Sequence, residues 1–176
     1  VTGVRPTPDR VRETLFNWLG NDLSGMVCLD LYAGTGALGL EAASRGASTV
    51  WLADTEPRVQ RELQAIVERL KATDRVQVYR GDARGLLARL VMQGVQADVV
   101  FIDPPFRQGV LDAVMPALAP VLAPQAWIYV ETEAPLTAGQ VANWCSGQVE
   151  IIRQASAGQV HYHLLRIQSE ATQETT

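Results

Sequence analysis

The chain has 176 residues, 47% hydrophobic and 19% charged, which suits a single folded domain and excludes a disordered chain. No apolar run approaches the roughly 18 residues of a membrane-spanning helix, and no signal peptide is visible, so we expect a cytoplasmic protein without a membrane partner. The net charge of −4 argues against broad nucleic-acid affinity, and two distant cysteines, Cys28 and Cys145, argue against a disulfide framework or a zinc site.

Apolar periodicity predicts helices and strands that alternate along the chain. Thr7, Pro8 and Asp9 are typical of a helix start, and this first helix extends to Leu19. Further helices are predicted at residues 37–45, 56–71, 83–92 and 110–122, the last interrupted at Pro116. Strands are predicted at residues 26–32, 48–54, 76–80, 97–103 and 127–132, before a terminal hairpin of residues 149–154 and 160–167.

This alternation predicts an α/β fold: one Rossmann-like domain with a seven-stranded, mostly parallel sheet, a C-terminal antiparallel hairpin and helices on both faces. We assign residues 1–168 to this domain, including an N-terminal helical motif at residues 5–20. Residues 169–176 are polar without an apolar anchor, and we expect them to form a frayed tail. Parallel sheets place their sites at the carboxyl ends of the strands, so the residues that follow each strand indicate the site.

A glycine-rich turn follows the first strand, where residues 34–39 spell G-x-G-x-x-G. Glycines allow backbone amides to approach a ligand, and the N-terminus of the following helix presents unpaired N–H groups. The strand–turn–helix context favours ligand binding over a turn that only packs tightly.

Acidic residues follow the next two strands. Asp54 ends the second strand, where an acid can accept both hydroxyls of a ribose, and Glu56 is a weaker candidate for the same role. Asp82 follows the third strand and can accept from an adenine amino group while the Ala83 amide donates to a ring nitrogen. Asp82 is equally suited to cap the next helix, and one residue can serve both roles.

The sequence Asp-Pro-Pro-Phe, residues 103–106, follows the fourth and most apolar strand. Its two prolines fix the backbone and remove two N–H donors, so the Asp103 carboxylate and the Pro104 carbonyl can act together as acceptors. Phe106 offers a flat aromatic face beside them. This set fits a planar base with an exocyclic amino group, and the alternative is a rigid turn with a buried phenylalanine.

The combination resembles a class I methyltransferase that uses S-adenosylmethionine, and more specifically the RsmD family. Residues 5–19, Arg-Pro-Thr-Pro-Asp-Arg-Val-Arg-Glu-Thr-Leu-Phe-Asn-Trp-Leu, are similar to the opening signature of that family. Residues 30–42, Asp-Leu-Tyr-Ala-Gly-Thr-Gly-Ala-Leu-Gly-Leu-Glu-Ala, are similar to its glycine-turn signature, and the resemblance extends from Arg5 to about Arg166. It implies methylation of the exocyclic N2 of one guanine in 16S ribosomal RNA, within the small ribosomal subunit or its assembly intermediate.

The resemblance also implies roles for individual residues. The implied cofactor-binding residues are Asp30, Tyr32, Ala33, Gly34, Thr35, Gly36, Asp54, Asp82 and Ala83. The implied residues at the reacting amino group are Asp103, Pro104, Pro105 and Phe106, with no metal ion. Candidate RNA contacts are Arg5, Arg10, Arg12 and Arg107, for which a solvated surface charge is an equally good interpretation. We expect a monomer.

Family members usually carry a further segment before the Arg-Pro-Thr motif, partly a β-hairpin, and we expect RNA affinity to be reduced without it. Together with the acidic balance of the chain, this predicts weak binding to free RNA and dependence on a preformed ribosomal surface.

Three other functions compete with this interpretation. A DNA adenine-N6 methyltransferase would use a similar Asp-Pro-Pro-aromatic motif, but the chain has little room for a target-recognition region. A nicotinamide-dependent oxidoreductase would use the glycine turn and leave the Asp-Pro-Pro-Phe motif unexplained. A catalytically silent RNA-binding assembly factor is the third. Two pairs, His161 with His163 and Glu131 with Glu133, share a strand face, and we assign neither pair a chemical role.

Overall fold

The structure, a computed structural model, describes residues 8–105 and 109–168. The strands are β1 (Val27–Asp30), β2 (Thr49–Asp54), β3 (Val76–Arg80), β4 (Ala97–Ile102), β5 (Leu122–Thr132), β6 (Val149–Ala157) and β7 (Val160–Ile167). The α-helices are α1 (Asp9–Trp18), α2 (Ala37–Ser44), α3 (Pro57–Arg69), α4 (Ala83–Met92), α5 (Val110–Leu118) and α6 (Ala138–Val141). Short 3-10 helices cover Ala119–Val121 and Trp144–Gly147. Within the described ranges, no helix has the length and apolar character that crossing a membrane requires.

All seven strands join one sheet in the order β3-β2-β1-β4-β5-β7-β6. The strands from β3 to β5 run parallel, whereas β7 is antiparallel to both β5 and β6. The order reverses between β1 and β4, so a crevice opens at their carboxyl ends, where doubly wound sheets bind ligands. The predicted fold class is confirmed.

Two layers of helices cover the sheet, because each strand of its centre is apolar on both faces. One buried cluster joins α1, α2 and α3 to one face, with Leu15, Ala42 and Leu63 among its members. The other joins α4 and α5 to the opposite face, with Leu87 and Met115 among its members. Burial on both faces explains why the parallel strands read as continuous apolar runs.

The first helix is tied to the sheet by aromatic contacts. The ring of Phe16 lies 5.9 Å from that of Phe101 in β4, and the ring of Trp18 stacks on Tyr162 in β7 at 5.3 Å. Aromatic pairs of this kind stabilise the fold by more than the burial of their surface area alone would give. The helix therefore packs beneath the strands that end at the crevice.

The clearest departures from the sequence prediction lie between residues 110 and 148. The predicted helix 110–122 ends at Leu118, and Leu122 already belongs to β5, which begins earlier than the predicted residue 127. The pairing of β5 with β4 shifts in register near its start, and Gln125 has a φ of 62°, so this part lacks the regular extended pattern from which a strand is predicted. Pro116 does not interrupt α5, which continues through it.

Other differences concern the ends of elements and two short helices. The structure ends β1 at Asp30 instead of residue 32, and extends β6 to Ala157. Nothing in the apolar pattern predicts α6 or the 3-10 helix Trp144–Gly147, each of which has only four residues. Thr7, Arg5 and the predicted tail 169–176 lie outside the described residues.

Close contact between α2 and the sheet depends on Gly39. A Cβ atom there would overlap with the Leu52 side chain of β2 and would lie 3.2 Å from Asp30 Cβ. We expect Gly39→Ala to lower the free energy of unfolding by about 1–3 kcal/mol, because overpacking outweighs the gain in helix propensity. Urea denaturation measures this loss.

Gly139→Ala is the matched control, because a Cβ in α6 would have only Thr137 Oγ1 nearby, at 3.8 Å. Equal stabilities of the two variants would contradict the assigned packing of α2.

Candidate active site

The turn after β1 is built on two glycines in the left-handed region. Gly34 has a φ of 53° and Gly36 a φ of 79°, conformations that side chains other than glycine rarely adopt. The Gly36 amide donates to the Ala33 carbonyl at 2.8 Å, and Gly36 is also the N-cap of α2. The chain therefore reverses sharply at the carboxyl end of β1 and directs the first turn of α2, with its unpaired N–H groups, at the crevice.

Asp54 joins the end of β2 to this turn. Its Oδ2 accepts from the Gly34 amide at 3.1 Å, and its Oδ1 accepts from the Glu56 amide at 2.9 Å. Each carboxylate oxygen has a further lone pair, so Asp54 retains the capacity to accept from hydroxyl groups. Thus Asp54 lies at the end of β2 beside the glycine turn, and its role toward a ribose stays a prediction.

Asp30 is almost fully buried, with 2% of its surface exposed. Its Oδ2 accepts from the Gly39 amide at 3.0 Å, so a strand residue satisfies a free amide in the first turn of α2. Burial raises the pKa of Asp30 to about 7, aided by the charges of Asp54 and Glu131, although the bond from Gly39 lowers it. The structure thus gives Asp30 a part in holding α2, a role that the sequence analysis does not include.

Asp82 is the N-cap of α4, and its Oδ1 accepts from the Gly85 amide at 2.7 Å. The capping interpretation is confirmed, and the adenine interpretation stays a prediction. Tyr32, after β1, is half-buried, and its pKa is raised by burial and by the charge of Asp82. Tyr32 and Asp82 therefore lie on the same side of the crevice, and Ala83, the first residue of α4, follows Asp82 directly.

Asp103 and Pro104 follow β4 directly and lie on the other side of the glycine turn. Pro104 is buried, Pro105 is exposed and Asp103 is partly buried. The two prolines supply no N–H groups, so their backbone offers only carbonyl oxygens, which are acceptors. Phe106 and Arg107 lie outside the described residues.

Glu131 in β5 is a candidate site residue to which the sequence analysis assigned no chemical role. It is 5% exposed, accepts a hydrogen bond from the Tyr129 hydroxyl at 2.7 Å, and shares a hydrogen bond with the Asp103 carboxyl group. A signal was present in the sequence, because an acid among the apolar residues of a buried strand needs a partner. We refer to Asp30, Asp103 and Glu131 as the carboxyl cluster.

The electrostatics of the carboxyl cluster favour a proton or another cation. Burial raises the pKa of Asp103 to about 8, and the charge of Glu131, the hydrogen bond with Glu131 and the charge of Asp30 add to this effect. Carboxylates crowded in a buried site cannot all be ionised without cost. A bound cation would reduce their repulsion. Among the described residues, no three His, Cys, Asp or Glu side chains are arranged to hold a metal ion.

The candidate RNA contacts are only partly described. Arg10 is exposed at the start of α1, and the Arg12 Nη2 lies 2.9 Å from the Asp9 Oδ1. An exposed pair of this kind contributes little stability, so Arg12 can exchange Asp9 for another anion. Arg5 and Arg107 fall outside the described ranges, and the RNA role of all four arginines stays a prediction.

His163 makes two hydrogen bonds that connect separate segments of the chain. Its Nε2 accepts from the Leu136 amide at 3.0 Å, so its Nδ1–H donates to the Val130 carbonyl at 3.1 Å. Burial lowers the pKa of His163, and the neutral ring links β7 to the segment after β5.

Known proteins support the assignment that the fold suggests. A solved structure described as "Putative methyltransferase yhhF from Escherichia coli" is 40% identical, covers 97% of this chain and 91% of its own, and superposes with a TM-score of 0.81. Ribosomal RNA small subunit methyltransferase D of Escherichia coli K12 is 42% identical over 92% of this chain and 79% of its own length. The protein of the same name in Haemophilus influenzae is 36% identical over 92% of this chain and 82% of its own.

An RNA methyltransferase from Salinibacter ruber, solved with S-adenosyl-L-homocysteine, is only 17% identical but shares the fold with a TM-score of 0.70, over 98% of this chain and 99% of its own. The reversed β7 and the glycine turn after β1 place this chain among the class I methyltransferases. The family model described as Conserved hypothetical protein 95 matches residues 1–166. The chain belongs to that family, the RsmD family of methyltransferases.

The raised pKa of Asp103 predicts how stability depends on pH. The pKa of Asp103 is about 8 in the folded chain, against an ordinary value of 3.8. Between these two pH values the folded chain holds a proton that the unfolded chain has released. The free energy of unfolding is therefore highest below about pH 4 and falls as the pH rises to about 8. We expect Asp103→Asn to raise the free energy of unfolding at about pH 8 by about 1 kcal/mol or more, with the gain disappearing near pH 4. Urea denaturation at both pH values measures it.

Asp74→Asn, at an exposed loop position, is the control. If Asp103→Asn raised the free energy of unfolding equally at both pH values, Asp103 would not be a carboxyl group that stays protonated in the folded chain.

Proposed function

We propose that this chain transfers a methyl group from S-adenosylmethionine to the exocyclic N2 of a guanine in 16S ribosomal RNA, within the small ribosomal subunit or its assembly intermediate. Membership of the family makes it a ribosomal RNA methyltransferase that depends on S-adenosylmethionine. The choice of guanine N2 as the atom that receives the methyl group is the more specific part of the proposal. The observation that supports an exocyclic amino group as the methylated group is the pair of acceptors, the Asp103 carboxyl group and the Pro104 carbonyl, that follows β4 beside the glycine turn.

The described residues fit S-adenosylmethionine chemically. The cofactor is cationic at its sulfonium and its ammonium group, and the carboxyl cluster is a buried site of negative charge. The turn of Gly34 and Gly36 allows close approach to backbone amides, which suits the carboxylate of the amino-acid part. Asp54 would accept from the ribose hydroxyls, while Asp82 and the Ala83 amide would face the adenine. When bound, the cofactor supplies a methyl group whose S–C bond breaks with its electron pair remaining on sulfur.

The target guanine would leave its RNA context to reach the crevice. Asp103 and the Pro104 carbonyl would accept from the hydrogens on N2, and Phe106 would stack on the base. These contacts would direct the nitrogen lone pair toward the methyl group. Positioning of this kind can lower a reaction barrier by roughly 7–11 kcal/mol, so much of the rate enhancement would come from orientation. Asp103 would also stabilise the positive charge that develops on the nitrogen.

The alternatives account for fewer observations. An oxidoreductase would leave the acceptors after β4 unused, and a silent assembly factor would leave a buried, repelling carboxyl cluster without a ligand. Adenine N6 is also an exocyclic amino group, so methylation of DNA adenine is distinguished by the product rather than by the acceptors. The names of the curated relatives favour ribosomal RNA.

The identity of the product tests the proposal. The protein is incubated with labelled S-adenosylmethionine and, separately, with small ribosomal subunits, naked 16S RNA and DNA, and the labelled nucleosides are separated. We expect N2-methylguanine from the subunits, little label in naked RNA and none in DNA. Asp103→Ala should lower the rate at least about 100-fold, as expected for loss of a group that acts in the transition state, while cofactor binding persists. Label in adenine, or full activity of this variant, would overturn the assignment.

Asp54 provides a separate test of the cofactor site. Calorimetry should show Asp54→Ala weakening the binding of S-adenosylmethionine about 10- to 100-fold, because hydrogen bonds to a charged group contribute roughly 1.5–3 kcal/mol. Asp74→Ala, in an exposed loop, should bind as the unmodified chain does. Unchanged affinity in Asp54→Ala would remove this residue from the site.

A further inference from the structure

We propose that Glu131 is a positioning residue that shares one proton with Asp103 and thereby keeps the Asp103 carboxylate aimed at the amino group and ready to receive its proton. The side-by-side placement of the two residues follows from the register of β4 and β5. The part of Glu131 in the reaction rests on the proposed function, because it takes the amino group as the atom that reacts.

The sheet brings the two carboxyl groups together. Ile102 of β4 pairs with Val130 of β5, so Asp103 and Glu131 are the next residues along two neighbouring parallel strands. Their hydrogen bond joins two groups that are acceptors when ionised, and such a bond requires a proton on one of them. The pair therefore has a state with one shared proton, in which one carboxyl group is neutral and the other is ionised.

Tyr129 fixes the orientation of Glu131. The Tyr129 hydroxyl donates to Glu131 Oε1 at 2.7 Å, and the Tyr129 ring is fully buried between Phe101 at 6.3 Å and Tyr162 at 6.5 Å. A hydroxyl held in this way occupies one side of the Glu131 carboxyl group. The other side of the Glu131 carboxyl group is free to hydrogen-bond with Asp103. The packing of the Tyr129 ring therefore sets the orientation of Asp103 through Glu131.

The charged and titratable groups around Asp103 and Glu131 favour a proton shared between these two residues. Asp30 faces Asp103 from β1, with Asp54 of β2 behind it, while the Tyr129 and Tyr162 hydroxyls approach from β5 and β7. Negative charge from Asp30 and Glu131 raises the pKa of Asp103, so a second ionisation is opposed at neutral pH. The proton is therefore retained between the carboxyl groups while one of them stays ionised.

In the reaction, the nitrogen forms its bond to the methyl carbon with its own lone pair and becomes positively charged. One N–H bond then breaks with its electron pair remaining on nitrogen, and the proton passes to Asp103 in its ionised form. The same proton then leaves Asp103 for solvent as the product departs. Glu131 supplies no atom to the product, because its role is to orient Asp103 and to set the pH at which Asp103 accepts a proton.

Glu131→Gln tests this role, because glutamine keeps the shape, donates to Asp103 and still accepts from Tyr129 but cannot share a proton. Carboxyl ¹³C resonances of the free protein follow the titration of Asp103 without substrate. We expect the Asp103 midpoint to move down by about one pH unit or more in Glu131→Gln, because a negative neighbour is replaced by a neutral donor. Glu133→Gln, two residues along the chain and at an exposed position, should leave the midpoint of the Asp103 titration unchanged.

The pH dependence of kcat on small subunits is the second readout. The rising limb of kcat should move to lower pH in Glu131→Gln by a similar amount. In Glu131→Ala, kcat should fall roughly 10-fold or more, as for loss of support to a general base. Tyr129→Phe, which removes only the hydroxyl that fixes Glu131, should lower kcat less than Glu131→Ala does.

The outcomes separate the two proposals. An unchanged Asp103 titration in Glu131→Gln, or a kcat profile that does not move, would overturn the role of Glu131 even if the unmodified protein methylates guanine N2. If the shared titration is found but the unmodified protein labels another atom or none, the proposed function fails and the carboxyl pair stands without it.

Discussion

The crowding of three carboxyl groups near the carboxyl ends of neighbouring parallel strands is the constraint that organises this molecule. Asp30 ends β1, Asp103 directly follows β4 and Glu131 is the last residue but one of β5; Asp30 and Glu131 are buried and Asp103 is partly buried. Buried acids are costly unless they are protonated or hydrogen-bonded. The structure supplies the bonds from separate layers: Gly39 of α2 donates to Asp30, and Tyr129 donates to Glu131. The closeness of α2 to the sheet and the aromatic packing under β5 are therefore parts of the same site.

The carboxyl cluster also connects stability to function. In the absence of a cation, the acids repel one another, and the folded chain holds protons that the unfolded chain would release near neutral pH. A cationic ligand would replace that repulsion with attraction. The site is thus less stable than an apolar one of the same volume, a cost that proteins commonly accept at functional sites. Binding of a cationic ligand would account for the presence of acids at the centre of an otherwise apolar sheet.

Local motifs made much of the candidate site predictable. The glycine turn, Asp54, Asp82 and the prolines after β4 are read from short stretches of sequence, because each acts through its own backbone geometry or its position after a strand. Glu131 escaped prediction because its significance comes from Asp103, a residue distant in sequence. The early start of β5 was missed for a similar reason: the shifted pairing with β4 and the positive φ of Gln125 interrupt the apolar alternation.

The sequence by itself determined the alternating strands and helices, the parallel sheet and the edge at which the site lies, since apolar periodicity and turn chemistry act over a few residues. Only the tertiary structure decided which acids meet. The pairing of Ile102 with Val130 places Asp103 beside Glu131, and the approach of α2 provides the amide that Asp30 accepts from. Those contacts depend on hydrogen bonds and packing between segments far apart in the chain, which no local pattern specifies.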